Sequence, residues 1–485
     1  MHGIHIRTLF ALLLALAWTP PAQAQDGAAL YRDNCAACHG PDRQGTGLGP
    51  PLSPRTYRYG GTRADLVRII RNGIPSQGMP SFAATLTAEQ IEALADFLPA
   101  RQGREEEEGE PPPHEFDPVP GVVDTLDYAV RVERFDEGLE TVWAMAFLDA
   151  RTALVSERPG RLRVIRDGVL QPEPVRGTPR VHVHSHHWNQ GGLLDIALDP
   201  DYAQNGWIYL SYSHPLDRTG PQGDPLAMTR VVRGRIRDNT WVDEQVVFQA
   251  PLESYGEPYW HYGGRMVFDP QGRLVFSVGD RGVQELAREP GWPTGKMHRV
   301  MPDGSIPPDN PFVGREGTLP SIYSYGHRNP QGITLDPHTG RIWSTEHGPR
   351  GGDELNLIEA GGDYGWPVAT YGINYDGTLQ TPATNLEGVR QPAYYWRPSI
   401  GVSGVAYYDG DEFPLWRGKL LVTSLGRRQL RLLTLDGERV QHEEILLRTE
   451  GRPYEPVVGP DGAIYLVTDS PGQILRLTAA EERKR

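Results

Sequence analysis

Two thiols and an imidazole stand together near the start of the chain, in Cys35-Ala36-Ala37-Cys38-His39. This spacing is that of c-type haem attachment, in which the thiols bond to the haem vinyl groups and the adjacent imidazole ligates the iron. A thioredoxin-like redox pair or a zinc half-site would use the same residues, but there is no second Cys pair and no surrounding βαβ pattern. Further on, Gly78-Met79-Pro80 offers a thioether where a small His/Met cytochrome has its sixth iron ligand, the alternative being plain core packing. A second group lies far downstream. Glu346, His347, Arg350, Asp353 and Glu354 crowd a loop with Gly348, Gly351 and Gly352. That composition suits close backbone approach to a ligand or a hard cation, or else a solvated turn.

The elements that must hold these residues differ between the two regions. Around the thiols the pattern is helical: Thr62 is placed to cap a helix with Leu66, Ile69 and Ile70 on one face and Gly73 at its end. Thr87 and Gln90 form a capping box ahead of Ile91, Leu94, Ala95 and Leu98. Residues 101–121 carry the acidic run Glu105 to Glu108 and then Pro111-Pro112-Pro113, with no periodic apolar face, and read as an extended linker. From Val122 onward short strands alternate with turns. Asp149, Asp199, Asp269, Asp336, Asp409 and Asp461 each sit in a turn that precedes an apolar strand, and six such repeats predict six four-stranded blades. A β-sandwich array explains the recurrence less well. In a propeller the residues after the repeated strand emerge on one face. Arg158, Ser213-His214, Asp280-Arg281, Glu346-His347, Arg427-Arg428 and Asp469 are therefore expected around one ligand site. The run His182-Val183-His184-Ser185-His186-His187 reads as a polar loop near its mouth, with a transition-metal site as the alternative.

A net charge of −14 and a pI near 5.6 argue against nucleic acid or an anionic membrane as the main partner. Arg7, the apolar run Leu9 to Trp18 and Ala22-Gln23-Ala24 have the layout of a secretory signal over residues 1–24, and the run is too short to span a bilayer. Export to a bacterial periplasm is expected. With Cys35 and Cys38 claimed by the haem motif, no disulfide is expected.

Residues 25–100 resemble class I cytochrome c. Residues 122–480 resemble the soluble quinoprotein glucose dehydrogenases, and more closely their aldose sugar dehydrogenase branch, leaving 481–485 as a tail. The resemblance is carried by Asn189-Gln190-Gly191-Gly192-Leu193-Leu194, His261-Tyr262-Gly263-Gly264-Arg265, Val278-Gly279-Asp280-Arg281-Gly282, Gly326-His327-Arg328-Asn329-Pro330-Gln331 and Glu346-His347-Gly348-Pro349 through Asp353-Glu354. It implies a multidomain protein, a small all-α cytochrome c domain followed by an all-β six-bladed propeller that holds pyrroloquinoline quinone (PQQ) and calcium. On this resemblance His261 is the general base toward a sugar anomeric hydroxyl, Asp280 orients it, and Arg328 faces the quinone oxygen that gains charge. Gln190 and Asn329 are implied cofactor contacts. The Gly348 and Pro349 carbonyls are the implied calcium ligands at the quinone, and Asp353, Glu354 and Tyr364 match positions around structural calcium.

The sequence departs from the family where basic residues meet the quinone carboxylates. The expected lysine is Gly426, followed by Arg427, and a paired-arginine pattern keeps Arg452 but has Tyr454 at its second place. Arg427, Arg428 and Arg452 are the candidates to supply that charge. The implied activity is oxidation of an aldose to a lactone, with electrons leaving through the haem c toward a soluble cytochrome or respiratory oxidase. A different sugar-derived alcohol or aldehyde as substrate, or a non-catalytic binding propeller, are the competing readings.

Overall fold

The computed structural model describes residues 26–46, 52, 63–74, 79–98, 116–186, 189–469 and 471–482. The proposed secretory signal, most of the linker, Thr62, Gly78 and His187 lie outside the described residues. The chain divides into two compact units, Met1–Glu108 and Gly109–Arg485.

The first unit is built from α1 (Gly27–Asn34), α2 (Ala36–His39), α3 (Arg63–Asn72) and α4 (Ala88–Phe97). Asp26 caps α1 by accepting from the Ala28 N–H at 3.0 Å. The Thr87/Gln90 capping box on α4 is complete, with the Gln90 N–H on Thr87 Oγ1 at 3.3 Å and the Thr87 N–H on Gln90 Oε1 at 2.8 Å. Tyr31, Leu66, Ile70, Ile91, Leu94, Ala95 and Leu98 form the buried cluster, and half-buried Cys35 packs against it. Helices α1 and α4 cross closely because Gly27 has no side chain: a Cβ there would come within 2.3 Å of the Ala93 carbonyl oxygen. Gly73, at φ +71°, terminates α3.

The second unit contains six antiparallel sheets. Five are four-stranded meanders, opening with Val142–Phe147, Leu193–Leu198, Met266–Phe268, Pro330–Leu335 and Val402–Tyr407. The sixth has five strands. Arg452–Val458, Ile464–Asp469 and Gly472–Glu482 pair onward with Tyr128–Leu139 and Gly121–Asp124 from the other end of the domain. The first strand of each sheet contacts the first strands of both neighbours, and the contacts run full circle. This is a six-bladed propeller whose last blade is completed by its N-terminal strands, which closes the ring.

The repeated aspartates have a local cause. Asp149, Asp199, Asp269, Asp336 and Asp461 each accept, through Oδ1, the N–H two residues on, at 2.7, 3.0, 2.9, 2.9 and 3.2 Å. Each thereby folds the turn between the first and second strands of its blade. Two details differ from the sequence reading. Ser213 and His214 lie inside a 12-residue strand, Ile208–Thr219, rather than after it. The final strand continues through Glu482, which pairs with Tyr128, so residues 481–482 belong to the propeller and not to a tail.

Near the axis, Arg265 ties its own blade to four others. Its Nη1 meets Asp195 Oδ1 at 3.1 Å and Glu455 Oε1 at 2.8 Å, its Nε donates to the Gln331 carbonyl at 2.8 Å, and its plane lies 3.8 Å from the Trp143 ring centroid. Burial pushes Glu455 up to about 7, against the pull of Arg265. Replacing Arg265 by Met leaves two buried carboxyl groups without their cation. Chemical denaturation of Arg265→Met should show a loss of about 3–5 kcal/mol; a loss under about 1 kcal/mol would mean that the cluster is solvated and not a keystone.

Candidate active site

The site is assembled from segments that leave the second strands and from those that enter the first strands. His261 lies just before Met266–Phe268 and Asp280 just after Leu274–Val278. His261 Nδ1 and Asp280 Oδ1 are 2.6 Å apart, and both residues are buried. The His261 backbone N–H donates to Gln190 Oε1 at 2.7 Å, and Asn329 Nδ2 reaches the same oxygen at 3.3 Å. Asn329 Oδ1 accepts from the Gly263 N–H at 3.1 Å. These two amides therefore fix the backbone that presents the imidazole. The approach demands glycine at position 279, where a Cβ would lie 2.4 Å from the His261 carbonyl oxygen.

Arg281 supports the same segment from behind. Its guanidinium is buried, donates to the Trp260 and Pro258 carbonyls, and lies 3.5 Å from the Tyr262 ring centroid. His261 and Arg281 both adopt left-handed backbone, at φ +57° and +54°.

Arg328 enters from the fourth blade. Its carbonyl accepts the Asp280 N–H at 2.7 Å, and its own N–H donates to Glu346 Oε1. Its Nη1 donates to the carbonyls of Gly348 at 2.8 Å and His347 at 3.2 Å. Behind it, Glu346 Oε2 meets His327 Nδ1 at 2.8 Å, and His327 stacks on Tyr364 with centroids 4.5 Å apart. Arg328 is thus held rigidly, and its Nε has no partner.

Burial and the nearby Arg328 cation hold His261 below the usual imidazole value, despite the opposing pull of Asp280. Burial pushes the Asp280 carboxyl up, but His261, Arg328 and the Gly282 N–H together outweigh it and leave the group below its ordinary value. The pair is therefore a neutral imidazole against an ionised carboxylate. With Nδ1–H on Asp280, the other ring nitrogen is the one that can take a proton.

The remaining sequence candidates divide. Arg452 pairs in register with Asp469, and its charge, after burial and Arg328, helps to push His347 down to about 3. Arg427 lines a cavity of about 810 Å³ with Tyr371, Trp396, Arg431 and Glu443. Tyr454 is buried against Trp143 in the core. Asp353 spends its carboxylate on the chain: Oδ1 accepts from Gly348 N–H and Ser399 Oγ, both at 3.1 Å, and Oδ2 from Ile400 and Val402 N–H at 2.9 and 3.0 Å. Tyr364 donates to the Leu357 carbonyl and accepts from the Glu359 N–H at 2.9 Å. His182, His184 and His186 form a chain of ring contacts ending on Tyr259, with His184 3.0 Å from Asp224. Among the described residues no group of three or more His, Cys, Asp or Glu is arranged to hold a metal ion. Trp366 and the bracing role of Arg281 escaped the sequence reading, because a lone Trp in a Gly/Pro loop and an Arg after a strand carry no pattern.

The residues present fit the implied groups. Arg328 Nε, His347 Nε2 and Asp469 Oδ1 are buried and unpartnered, a cationic donor, an imidazole nitrogen and a carboxylate oxygen that suit a polar cofactor bearing both acceptors and donors. Glu354 lies beside Glu346 across paired strands, and burial together with that second carboxylate pushes it up to about 8. A small cavity lined by both acids also touches Gly348, Pro349 and Tyr364. A divalent cation there would let Glu354 ionise beside Glu346, and the oxygen-only donor set suits calcium. In the first unit, two unbridged thiols and the buried His39 at the end of α2 flank the apolar cluster, as covalent haem requires. Met79 is tied to Ile74 by backbone hydrogen bonds of 2.8 and 3.2 Å.

Fold and site together define a redox protein: a helical unit with a haem-attachment motif, and a six-bladed propeller with a buried histidine–aspartate pair. Residues 139–476 match the family model described as glucose / sorbosone dehydrogenase, and residues 22–98 that of cbb3-type cytochrome c oxidase subunit III. The aldose sugar dehydrogenase YliI of Escherichia coli is 40% identical over 358 residues, covering 72% of this chain and 93% of that protein. Quinoprotein glucose dehydrogenase B of Acinetobacter calcoaceticus is 27% identical, over 59% of this chain and 74% of its own. The PQQ-bound aldose sugar dehydrogenase of Streptomyces coelicolor superposes with a TM-score of 0.57 at 27% identity, over 72% of this chain and 98% of that one. The chain belongs to the glucose / sorbosone dehydrogenase family, with a cytochrome c domain ahead of the propeller.

Two outcomes follow from the electrostatics. An imidazole accepts a proton only when unprotonated and the proton affinity of His261 is depressed, so if His261 takes the substrate proton the acid limb of kcat/KM should lie below about pH 6.5, the ordinary imidazole value. An acid limb above that value would contradict the burial-driven depression. Asp280→Asn keeps the shape but removes the charge that fixes the tautomer, and steady-state kinetics should show kcat down by about 100-fold or more.

Proposed function

We propose that this chain is an exported quinohaemoprotein that oxidises an aldose at its anomeric carbon to the lactone. The observation that carries the reading is the buried His261–Asp280 pair set beside Arg328 and a group of unpartnered polar atoms. PQQ would be held by Gln190, Arg328, Asn329 and Arg452, with Arg427 as a more peripheral candidate, and when bound it supplies the two-electron acceptor for the anomeric hydride. His261 removes the anomeric hydroxyl proton through its free ring nitrogen. Asp280 stabilises the imidazolium that results, and Arg328 offers permanent positive charge where negative charge accumulates. The Gly348 and Pro349 carbonyls are the proposed calcium ligands at the cofactor. Glu354, with Glu346 beside it, fits a second, structural calcium, and Asp353 and Tyr364 brace its surroundings.

Cys35 and Cys38 would hold haem c through thioether bonds, and His39 and Met79 would ligate its iron. A thioether ligand raises the haem potential and suits it to accept electrons one at a time. The electrons then leave to a soluble cytochrome or a respiratory oxidase. The match of the helical unit to a cbb3 oxidase subunit supports such a chain of transfer. The leader-like pattern over residues 1–24 supports a periplasmic location, and no helix among the described residues is long and apolar enough to cross a membrane.

The test is to load the mature haem protein with PQQ and calcium, add a panel of aldoses, and follow the haem absorbance. Haem reduction that requires quinone and disappears in His261→Ala is the expected result. Dye reduction with an oxidised haem would overturn the internal electron route. Sugar binding with neither signal would favour a binding propeller. Chelation of calcium should abolish dye reduction and lower the thermal midpoint, and re-addition should restore both.

A further inference from the structure

Asp280 has two carboxylate oxygens, and the dyad with His261 accounts for one of them. Oδ1 meets His261 Nδ1 at 2.6 Å and accepts the Gly282 N–H at 2.9 Å. Oδ2 accepts from the indole Nε1 of Trp366 at 2.8 Å. Trp366 is 6% exposed, and an indole N–H is a donor only, so this contact cannot reverse. The same ring lies 5.3 Å from the Arg328 guanidinium carbon.

The segment carrying Trp366 is clamped to the one carrying Arg328. The Trp366 N–H donates to the Gly326 carbonyl and the Tyr364 N–H to that of Tyr325, both at 2.9 Å. Asp363 receives Arg288 at 2.5 Å and accepts the Gly365 N–H at 2.9 Å. The Asp280 N–H returns to the Arg328 carbonyl at 2.7 Å. The carboxylate is therefore held at its backbone by the Arg328 segment and at its tip by a ring anchored to that same segment.

We propose that Trp366 is a positioning residue for the dehydrogenation, orienting Asp280 through Oδ2 so that the His261 ring and the Arg328 cation keep a fixed mutual placement. This rests on His261 acting as the base. The charged or titratable groups facing His261 are Asp280, Arg328, Arg281 and His347. Trp366 adds no charge to this set and acts by restraining one member. Without its N–H, electron density on Asp280 shifts toward Oδ1, the grip on Nδ1–H tightens, and the imidazole holds a proton more firmly.

The experiment compares Trp366→Phe and Trp366→His, which retains a ring N–H, with the parent holoenzyme. In Trp366→Phe, kcat should fall by about 10-fold or more with KM for sugar little changed, and the acid limb should move up by about half a pH unit or more. Trp366→His should recover part of both effects. A proton NMR spectrum of the low-field Nδ1–H, assigned by its loss in His261→Ala, should show the resonance displaced in Trp366→Phe without any need for turnover. Thermal melts identify a variant that has merely unfolded, in which case the comparison passes to Trp366→His. An unmoved resonance and acid limb in a folded variant would overturn the proposal, whatever happened to kcat. Full activity in His261→Ala would instead sink the base assignment, while the resonance shift would still report whether Trp366 orients Asp280.

Discussion

Charge buried within the six-bladed ring has to be compensated inside it, because first strands that meet all round the axis leave little room for water. Two clusters meet that constraint in different ways. Around Arg265 one guanidinium is shared by Asp195 and Glu455, and every other donor direction reaches a carbonyl or an aromatic face. Around Asp280 the His261 ring, the Arg328 cation and the Gly282 N–H outweigh burial and keep the carboxylate below its ordinary value, while burial keeps the neighbouring imidazole neutral. The first arrangement closes on itself and serves the fold. The second leaves Arg328 Nε and His347 Nε2 unpartnered, which a structure tolerates where a ligand completes the set.

Legibility in the sequence followed the range of the interaction. The blade count is legible in the aspartates because five of the six fold their own turn through a hydrogen bond two residues away, as at Asp269 and Asp336. The Thr87/Gln90 box is equally local. The repeat places Asp280 on the ligand face, but His261, Arg328 and the pairing of His261 with Asp280 come only through family motifs, since no spacing announces that a residue before one strand will meet a residue after the next. Trp366 and Asp280 are 86 positions apart and share no motif. The Ser213-His214 reading differs because the second strand of that blade is far longer than its counterparts and runs on through Pro215, where the residue type predicts an end.

The carboxylates of the fourth blade show how one loop composition can serve two purposes. Asp353 and Glu354 are adjacent, and strand alternation sends them to opposite faces. Asp353 is saturated by four donors from the loop and the next blade, so it fastens Gly348 in place. Glu354 has only an amide at 3.2 Å and another acid beside it. A cation has electrostatic reason to sit at Glu354 and little at Asp353.

Backbone strain points to the same place. Residues with side chains rarely adopt positive φ, at a cost of about 1–3 kcal/mol each in sparsely populated regions. His261 and Arg281 both do so, on either side of the dyad. The strain is sustained because the Gln190 and Asn329 amides fix one segment and the Arg281 guanidinium grips the carbonyls at 258 and 260. A relaxed backbone would turn the imidazole away from Asp280, and the buried carboxylate would then keep only the Trp366 and Gly282 N–H donors. The desolvated pair and the strained backbone therefore stabilise each other, so the geometry needed for proton transfer is set before any sugar arrives.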